Sequence, residues 1–551
     1  DNAGNNAAAT TTSTTDSTAV TKLSSNSGLI TTTFSQSVRG STILGTTSSQ
    51  AFGNSVSLNS DGTVVAIGAY VNDDAGNNSG AALIYQYSSS SNSWSQLGSQ
   101  LNPVSGSNDN FGDSISVNSD TSTNIIVAIS APKDDDNGSD SGSIFIYQYN
   151  SSTTSWDLLG SQLNGPSGSR YGFNNGGKGI SLNGDGSILA VGGYQYNSSA
   201  GIVDVYEYST PGSTGGTWNQ IGSSLTGSSG DQYGRSVGLN YDGTKLVFGA
   251  NATDVNQSNS GSVYVYEFSS NAWSKVGTEI NGTITDGYLG ESVSINNDGT
   301  IIAISSMNAN SNAGYTEIYE YSGGSWSILG SAIEGMTSNE YSGYSISLNG
   351  DGTIVAIGAR GYSTDKGATR IYQYSSSDTS WNLVGSQIVG SNNYDYSSWS
   401  VAISNDGKYV SIGTPIINSD TGLVNIYGSG ITVSEQGIVT AIPPLLTDLS
   451  IISNNSVNTS LAIPNDAVTI AVTYDISINT PMIDISSGSV SVTDTTITYA
   501  QVNDSNTNWT ISYTVDASDT DGLVTFAIDA SSGQTLESAV PVSLLIPLHL
   551  Y

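Results

Sequence analysis

The sequence predicts an all-β chain, in which a seven-bladed β-propeller is followed by a C-terminal Ig-like β-sandwich. Two observations predict the propeller: a phrase of about 55 residues recurs seven times, and a tryptophan recurs beside it at the same interval. A third observation predicts the sandwich, because seven short strand-like runs follow the break at Pro443-Pro444. Repeats of this length are typical of propellers, in which each copy forms one blade.

Each copy of the phrase contains four strand-like segments, which are clearest in the first copy. Residues 55–59 form the first segment, and an Asp-Gly pair then gives a hairpin signal. The second segment, residues 63–69, is continuously apolar, as expected of a strand covered on both faces. Residues 82–87 alternate in character, and a fourth strand begins at Trp94. Four strands in each of seven copies describe a propeller.

Two markers keep the repeat in register along the chain. The Asp-Gly turns fall at Asp61, Asp185, Asp242, Asp298, Asp351 and Asp406, with a longer variant near Asp120. The tryptophans fall at Trp94, Trp156, Trp218, Trp273, Trp326 and Trp381. Since six tryptophans share one repeat position, we expect them to pack between adjacent blades.

The seventh copy ends before its tryptophan strand, whereas residues 34–45 have strand character and no copy of their own. We therefore predict that this N-terminal segment completes the seventh blade. Closing the ring in this way removes open sheet edges and ties the first blade to the last. The alternative is that residues 29–45 are only a linker.

Composition divides the chain into four parts. Residues 1–28 are rich in Thr, Ser and Asn and are predicted to form a flexible or stalk-like tail. Residues 29–430 form the propeller, residues 431–445 a linker, and residues 446–551 the sandwich. No stretch of 18 apolar residues occurs, so no transmembrane segment is expected.

The charge balance and the rare residue types exclude several functions. Twelve Lys and Arg stand against 46 Asp and Glu, a formal net charge of −34, so nucleic-acid binding is not expected. Cysteine is absent and histidine occurs once, at His549. Disulfides, thiol chemistry, Ser-His-Asp triads and multi-histidine zinc sites are therefore excluded.

The repeat resembles a known family. Phe52-Gly53 before the first strand and Gly68-Ala69 after the second resemble the FG-GAP repeat of integrin-α-type propellers, and Phe111-Gly112 is a further copy. The resemblance extends over roughly residues 50–428 and implies the fold rather than a function, because propellers host many functions. Residues 508–529 similarly resemble the Ig-like repeats of large bacterial surface proteins.

Some members of the FG-GAP family bind calcium in an acidic loop of the form Asp-x-Asp/Asn-x-Asp-Gly-x-x-Asp. In this chain the corresponding stretch, residues 58–62, has neither the leading nor the trailing acid. We therefore interpret the Asp-Gly turns as hairpins stabilised by their own Asp side chains.

Two other groups of residues are candidate sites. The densest acidic cluster, Asp134, Asp135, Asp136 and Asp140, lies between the second and third strands of blade 2, and its carboxylates suit calcium as a possible cofactor. Its alternative is a solvated acidic loop. Six aromatic residues in loops or at strand starts are candidates for stacking on a ligand such as a sugar: Tyr194, Tyr196, Tyr362, Tyr394, Tyr396 and Trp399. Their alternative is packing between blades.

These features favour a non-enzymatic protein that acts in display or adhesion outside the cell, on a cell surface or on a virion surface. Its expected partner is a glycan or a protein surface, contacted by the propeller loops. One alternative is a structural subunit of an extracellular filament, sheath or virion, assembled through residues 1–28 and 540–551. A second alternative is a glycan hydrolase or lyase built on the propeller, although no pair of catalytic carboxylates stands out.

Overall fold

The computed structural model describes residues 32–431, apart from 104–106, 120–123, 175, 177 and 210–214, together with nine strands between residues 446 and 550. The chain divides into two compact units between residues 432 and 433. The predicted tail, residues 1–28, and nearly all of the predicted linker lie outside the described residues.

The first unit consists of seven antiparallel sheets in chain order, which confirms the seven-bladed propeller. The strands of blade 1 are Val56–Leu58, Val64–Ala69, Ala81–Ser88 and Ser93–Gln96. Those of blade 2 are Ile115–Val117, Ile126–Ala131, Ser143–Asn150, Ser155–Leu158 and Leu163–Asn164. Those of blade 3 are Ile180–Leu182, Ile188–Gly192, Ile202–Tyr208, Trp218–Gln220 and Leu225–Thr226. Those of blade 4 are Tyr233–Leu239, Lys245–Ala250, Ser262–Ser269, Ala272–Lys275 and Ile280–Asn281. Those of blade 5 are Val293–Ile295, Ile301–Ser306, Tyr315–Ser322, Ser325–Ile328 and Ile333–Glu334. Those of blade 6 are Ser342–Leu348, Ile354–Ala359, Ala368–Ser375, Ser380–Leu383 and Ile388–Val389.

The seventh blade is completed by the N-terminal segment, as predicted. Its own strands are Ser400–Ile403, Tyr409–Thr414 and Leu423–Ile431. The last of these pairs antiparallel with Thr32–Val38 and with Ile43–Leu44. Residues from the two ends of the propeller therefore share one sheet, and the outer edge of Leu423–Ile431 is paired by the N-terminal segment.

Serines of the innermost strand join each blade to the next, which explains why serine recurs there. Ser55 Oγ donates to the carbonyl of Gly112 in blade 2 at 2.8 Å. Ser400 Oγ of blade 7 donates to the carbonyl of Gly53 at 2.9 Å, so the same bond closes the ring. These buried polar groups are thereby satisfied between blades rather than within one sheet.

The repeated tryptophans also bridge blades, which confirms their structural role. Trp218 is buried, and its Nε1 donates to the carbonyl of Leu159 in the preceding blade at 2.8 Å. The other five make the equivalent bond to the blade before them, at 2.8–2.9 Å. For Trp94 the acceptor is the carbonyl of Arg39, in the N-terminal segment that closes the ring.

The Asp-Gly turns are hairpins held by their own side chains. Asp61 Oδ1 accepts from the backbone N–H and the hydroxyl of Thr63, and Asn59 Oδ1 accepts from the N–H of Val64. The pattern recurs at Asp242, Asp298 and Asp351. The carboxylate at each of these positions is thus occupied by the turn.

The Phe-Gly pair that precedes the inner strands of blades 1 and 2 has a packing role. Phe111 is fully buried against both blade 1 and blade 2. Gly112 has a left-handed φ of 91°, and a side chain there would collide with the carbonyl of Ala81 in blade 1. Glycine is therefore the residue that this close approach of two blades permits.

Four short left-handed turns connect the second and third strands of blades 3, 5, 6 and 7. They span Tyr196–Ser199, Ala309–Asn312, Tyr362–Asp365 and Ile417–Asp420. Asn418, Ser419 and Asp420 have φ values of 56°, 59° and 61°. Short polar side chains tolerate this conformation better than other L-residues do, which accounts for the Asn, Ser and Asp content of these loops.

The second unit contains two sheets. One is formed by Leu446–Ser453, Ala467–Tyr474, Asn508–Thr514 and Thr498–Gln501, and the other by Leu461–Ala462, Pro541–Leu550, Leu523–Asp529, Met482–Ser487 and Val490–Ser491. The apolar C-terminal strand pairs within this unit. The Ig-like assignment stays a prediction. Among the described residues, no helix is long and apolar enough to cross a bilayer.

Candidate functional site

One face of the propeller carries loops that differ in sequence from blade to blade. The inner strand of each blade begins beside the end of the second strand, because the two are antiparallel. Connections from strand two to strand three, and from one blade to the next, therefore reach the same face, which we call the loop face. The Asp-Gly turns lie at the opposite ends of the strands.

A ring of dissimilar residues surrounds the central channel on the loop face. Each member directly precedes the residue at which an inner strand joins its neighbour, usually serine. The seven members, here called the mouth ring, are Asn54, Asp113, Lys178, Arg235, Glu291, Tyr344 and Trp399. The positions around them repeat whereas these residues do not, so each blade contributes a different side chain to the mouth ring.

Polar contacts tie part of the mouth ring together. Arg235 pairs with Glu291, with Nη2 and Oε1 2.7 Å apart, and both side chains are largely buried. Asn174 lies in an extra segment that precedes the inner strand of blade 3. Its backbone N–H donates to Asp113, and its amide donates to the carbonyl of Arg235. Blades 2, 3, 4 and 5 are thus connected across the mouth.

Arg360 lies on the same face among four aromatic rings. Its Cζ is 4.5 Å from the ring centroid of Tyr344 and 5.1 Å from that of Trp399. The rings of Tyr341 and Tyr396 follow at 4.9 and 5.8 Å. The rings also contact one another, with Tyr344 and Trp399 centroids 5.2 Å apart. We call these five residues the arginine cage.

The guanidinium of Arg360 has no hydrogen-bond or ion-pair partner among the described residues. Trp399 Nε1, in the same cage, is also buried without a partner there. The other four arginines of the chain each have an oxygen partner: the carbonyl of Gly62 for Arg39, and Asp140, Glu291 and Glu340 for Arg170, Arg235 and Arg370. Arg360 is therefore the arginine whose donors remain available for a ligand.

The arginine cage contains two of the six predicted aromatic contacts, and a third lies next to it. Trp399 and Tyr396 belong to it, and Tyr394, two residues away, is 59% exposed. Tyr362 lies beside Arg370 on the same face. All six predicted aromatics are thus on the loop face, in blades 3, 6 and 7.

Tyr194 corrects the prediction of an exposed aromatic, because it is only 8% exposed. Its ring packs 5.6 Å from that of Phe173 and 4.9 Å from the Arg235 guanidinium. Tyr196 is half-buried at the start of a left-handed turn and packs against the core between blades 2 and 3. Packing between blades, the alternative reading, therefore holds for Tyr194.

The predicted calcium loop has carboxylates that are engaged locally. Asp134 is buried and accepts from the N–H of Asp136 and the hydroxyl of Ser143. Asp135 accepts from the N–H of Asp140, whose own carboxylate contacts Arg170. Among the described residues, no three His, Cys, Asp or Glu side chains converge as a metal site would require. These four residues do not form a ligand set here.

Sequence reasoning missed the mouth ring and Arg360. The signal was present in the repeat, because the residue before the inter-blade serine is the one that changes type in every copy. A search for clusters of acids or tyrosines in the sequence does not find the mouth ring, because each blade contributes only one residue to it. Packing of the consecutive blades 4, 5 and 6 brings Arg235, Glu291 and Tyr344 together.

Asp113 should make the stability of the propeller depend on pH. Burial raises its pKa to about 7, against the hydrogen bond from Asn174 and the positive charge of Arg235. The folded chain therefore binds a proton that the unfolded chain has lost, and stability falls as pH rises from about 4 to 7. In urea unfolding, the free energy of unfolding of Asp113→Asn should rise relative to that of wild type as pH rises over this range, by up to about 4 kcal/mol. A difference that stays constant from pH 4 to pH 8 would refute this role.

Comparison with known proteins places the repeat in a described family. The FG-GAP repeat family matches residues 45–85, 94–147 and 225–266, about a quarter of the chain. The chain thus contains FG-GAP repeats within a seven-bladed propeller, and such repeats are typical of extracellular proteins. No curated protein sequence matches the chain.

Solved structures resemble the chain only distantly. A protein provisionally assigned as a 6-phosphogluconolactonase, from Bacteroides uniformis, is 11% identical with a TM-score of 0.42, over 62% of this chain and 87% of that one. An arginine triple mutant of AofleA from Arthrobotrys oligospora is 14% identical with a TM-score of 0.35, over 63% and 91%. Prolyl oligopeptidase B from Galerina marginata is 13% identical with a TM-score of 0.35, over 68% and 46%. These similarities carry no argument about function.

Proposed function

We propose that this protein is a non-enzymatic binding protein of an extracellular, cell or virion surface, which recognises a carboxylated glycan through the arginine cage. The observation that carries the proposal is Arg360, a guanidinium without an oxygen partner among the described residues, surrounded by four aromatic rings on the loop face. FG-GAP repeats support an extracellular setting.

The donor set of the cage selects a carboxylate. A guanidinium is planar and always charged, and its paired N–H groups match the two oxygens of a carboxylate. Trp399 Nε1 adds a further donor beside it. A cationic ligand would instead meet the positive charge of Arg360 directly. The cage is therefore suited to an anion with hydrogen-bond acceptors.

The aromatic rings select a sugar as the carrier of that carboxylate. Tyrosine and tryptophan offer rigid apolar faces with polar edges, which suit the mixed surface of a pyranose ring. Tyr394 is 59% exposed next to the cage and extends the aromatic surface outward. The net charge of −34 repels acidic polymers elsewhere on the chain, so binding would be confined to this local positive site.

Binding rather than catalysis is proposed because the two carboxylates of the mouth ring are already engaged. Glu291 is paired with Arg235, and Asp113 accepts the N–H of Asn174. A glycoside hydrolase needs two free carboxyl groups on opposite sides of the scissile bond. Neither Glu291 nor Asp113 is placed for that role.

A glycan array tests the proposal. Wild-type protein should bind carboxylated glycans in preference to neutral ones, and Arg360→Gln should lose at least about tenfold in apparent affinity, as expected for a lost charged hydrogen bond. Arg39→Gln is the matched control: Arg39 also stacks on tyrosine rings, Tyr87 and Tyr409, but near the Asp-Gly turns. Unchanged carboxylate binding by Arg360→Gln, or release of cleaved sugar detected by mass spectrometry, would overturn the proposal.

A further inference from the structure

The central channel contains a second ring of repeated residues, two residues further along the inner strands than the inter-blade serines. Five of its seven members are serine, and all line a cavity of about 140 Å³ together with Lys178. The members are Ser57, Ser116, Ser181, Gly238, Ser294, Ser347 and Ala402. We call the five serines and Lys178 the channel donors, because their O–H and N–H groups line the cavity.

Each of the five serine hydroxyls is used as an acceptor by the neighbouring blade. Ser57 Oγ accepts the N–H of Val117 at 3.1 Å, and Ser116 Oγ that of Leu182 at 3.0 Å. The remaining three accept the N–H groups of Leu239, Leu348 and Ile403 at 3.0–3.3 Å. These bonds explain why serine recurs at this position of the inner strand.

A hydroxyl that accepts one bond still has its own proton to donate. Among the described residues, no acceptor receives the proton of any of these five hydroxyls. The inner strands surround the channel, so the five O–H groups are available on its interior side. The cavity wall is thus supplied with donors whose acceptor must come from inside the channel.

Lys178 adds a positive charge to this wall. It is the mouth-ring residue of blade 3, and among the described residues its ammonium has no acceptor and no carboxylate partner. Desolvation inside the channel lowers its pKa to about 8, so the ammonium is still mostly protonated at pH 7. Three further N–H donors therefore face the same cavity.

Donors in excess, with one positive charge, match an anion and mismatch a metal cation. Each of these Ser Oγ atoms keeps one lone pair after accepting a backbone N–H, but the ammonium of Lys178 would repel a metal cation. A cavity of 140 Å³ is about ten times what a single water needs, so a small oxyanion fits with some hydration. We propose that the central channel binds one phosphate or sulfate ion, held by the channel donors.

Isothermal titration with inorganic phosphate and with sulfate, on the full chain at 0.15 M ionic strength, tests this site. Wild type should give saturable binding at one site per chain, and Lys178→Met should weaken it at least tenfold. Lys408→Met is the matched control, because Lys408 is 64% exposed and contacts Asp406 at the other end of the strands. Absence of saturable binding to wild type, or equal binding by Lys178→Met, would refute the site.

A gain-of-function variant tests the same site without removing an existing contact. Ala402 occupies the ring position of blade 7 and lacks a hydroxyl. Ala402→Ser should add a sixth donor and tighten phosphate binding severalfold, with the fold checked by circular dichroism. Unchanged or weaker phosphate affinity in a folded Ala402→Ser protein would contradict the proposed role of the hydroxyls, even if Lys178→Met does not fold.

Discussion

Deleting residues 1–45 is expected to destabilise the propeller by more than about 5 kcal/mol. The deletion removes two strands that pair with Leu423–Ile431, and it buries nothing in their place. It also removes Ile43, which is 4% exposed, and the carbonyl of Arg39 that accepts from Trp94. Urea unfolding followed by tryptophan fluorescence measures the effect.

The control for this deletion keeps the closing strands and removes only what precedes them. A chain that begins at residue 32 should unfold at nearly the same urea concentration as the full chain. If the chain that begins at residue 46 also unfolds there, blade 7 does not depend on the N-terminal segment and closure of the ring is wrong.

Breaking the buried ion pair between Arg370 and Glu340 should cost about 3 to 5 kcal/mol. Both side chains are at most 1% exposed, and Arg370 holds Glu340 through two hydrogen bonds of 2.6 and 3.2 Å. Glu340 also accepts from the N–H of Met336 and the hydroxyl of Thr337, so it fixes the connection into blade 6. Glu340→Gln leaves a buried guanidinium without its counter-charge, and urea unfolding measures the loss.

A double variant separates the pair from its individual members. Arg370→Met combined with Glu340→Gln removes the orphaned charge and should recover part of the stability lost by Glu340→Gln alone. Should Glu340→Gln unfold within about 1 kcal/mol of wild type, the pair is not the anchor of this connection.

The repeat made the fold predictable because every blade uses the same contacts. Trp218 and its five equivalents bridge blades, and the Asp61 turn is a hairpin held by its own carboxylate. Even the ring closure followed from an omission, since blade 7 lacks a tryptophan strand and residues 34–45 supply its outer edge. A strand or turn that is ambiguous in one copy of the repeat can be assigned from the equivalent positions of the other copies.

The candidate site was only partly predictable, since it is built from positions that do not repeat. Tyr396 and Trp399 were identified by their residue type. No sequence pattern marks Arg360, and only the structure places it beside four aromatic rings. The acidic loop was selected by its composition, and calcium binding there stays a prediction. Its density of carboxylates suggested calcium, whereas Asp134 and Asp135 are occupied by backbone N–H groups of their own loop.

The second unit was predicted in outline. The strand-like runs after residue 446 correspond to strands in two sheets, and the apolar C-terminus is the strand Pro541–Leu550. Pairing of that strand inside its own unit leaves its backbone less available for assembly with another chain. Self-assembly through residues 1–28 stays a prediction, because that segment lies outside the described residues.

Recognition of a carboxylate by Arg360 can be tested with one thermodynamic cycle. Wild type and Arg360→Gln are each titrated with the best carboxylated glycan from the array and with the same glycan after its carboxyl group is reduced. We predict that wild type prefers the acid at least tenfold and that Arg360→Gln loses this preference, so that the two changes are not additive. If the Arg360→Gln protein still discriminates the acid from its reduced form by the wild-type factor, Arg360 does not recognise the carboxylate.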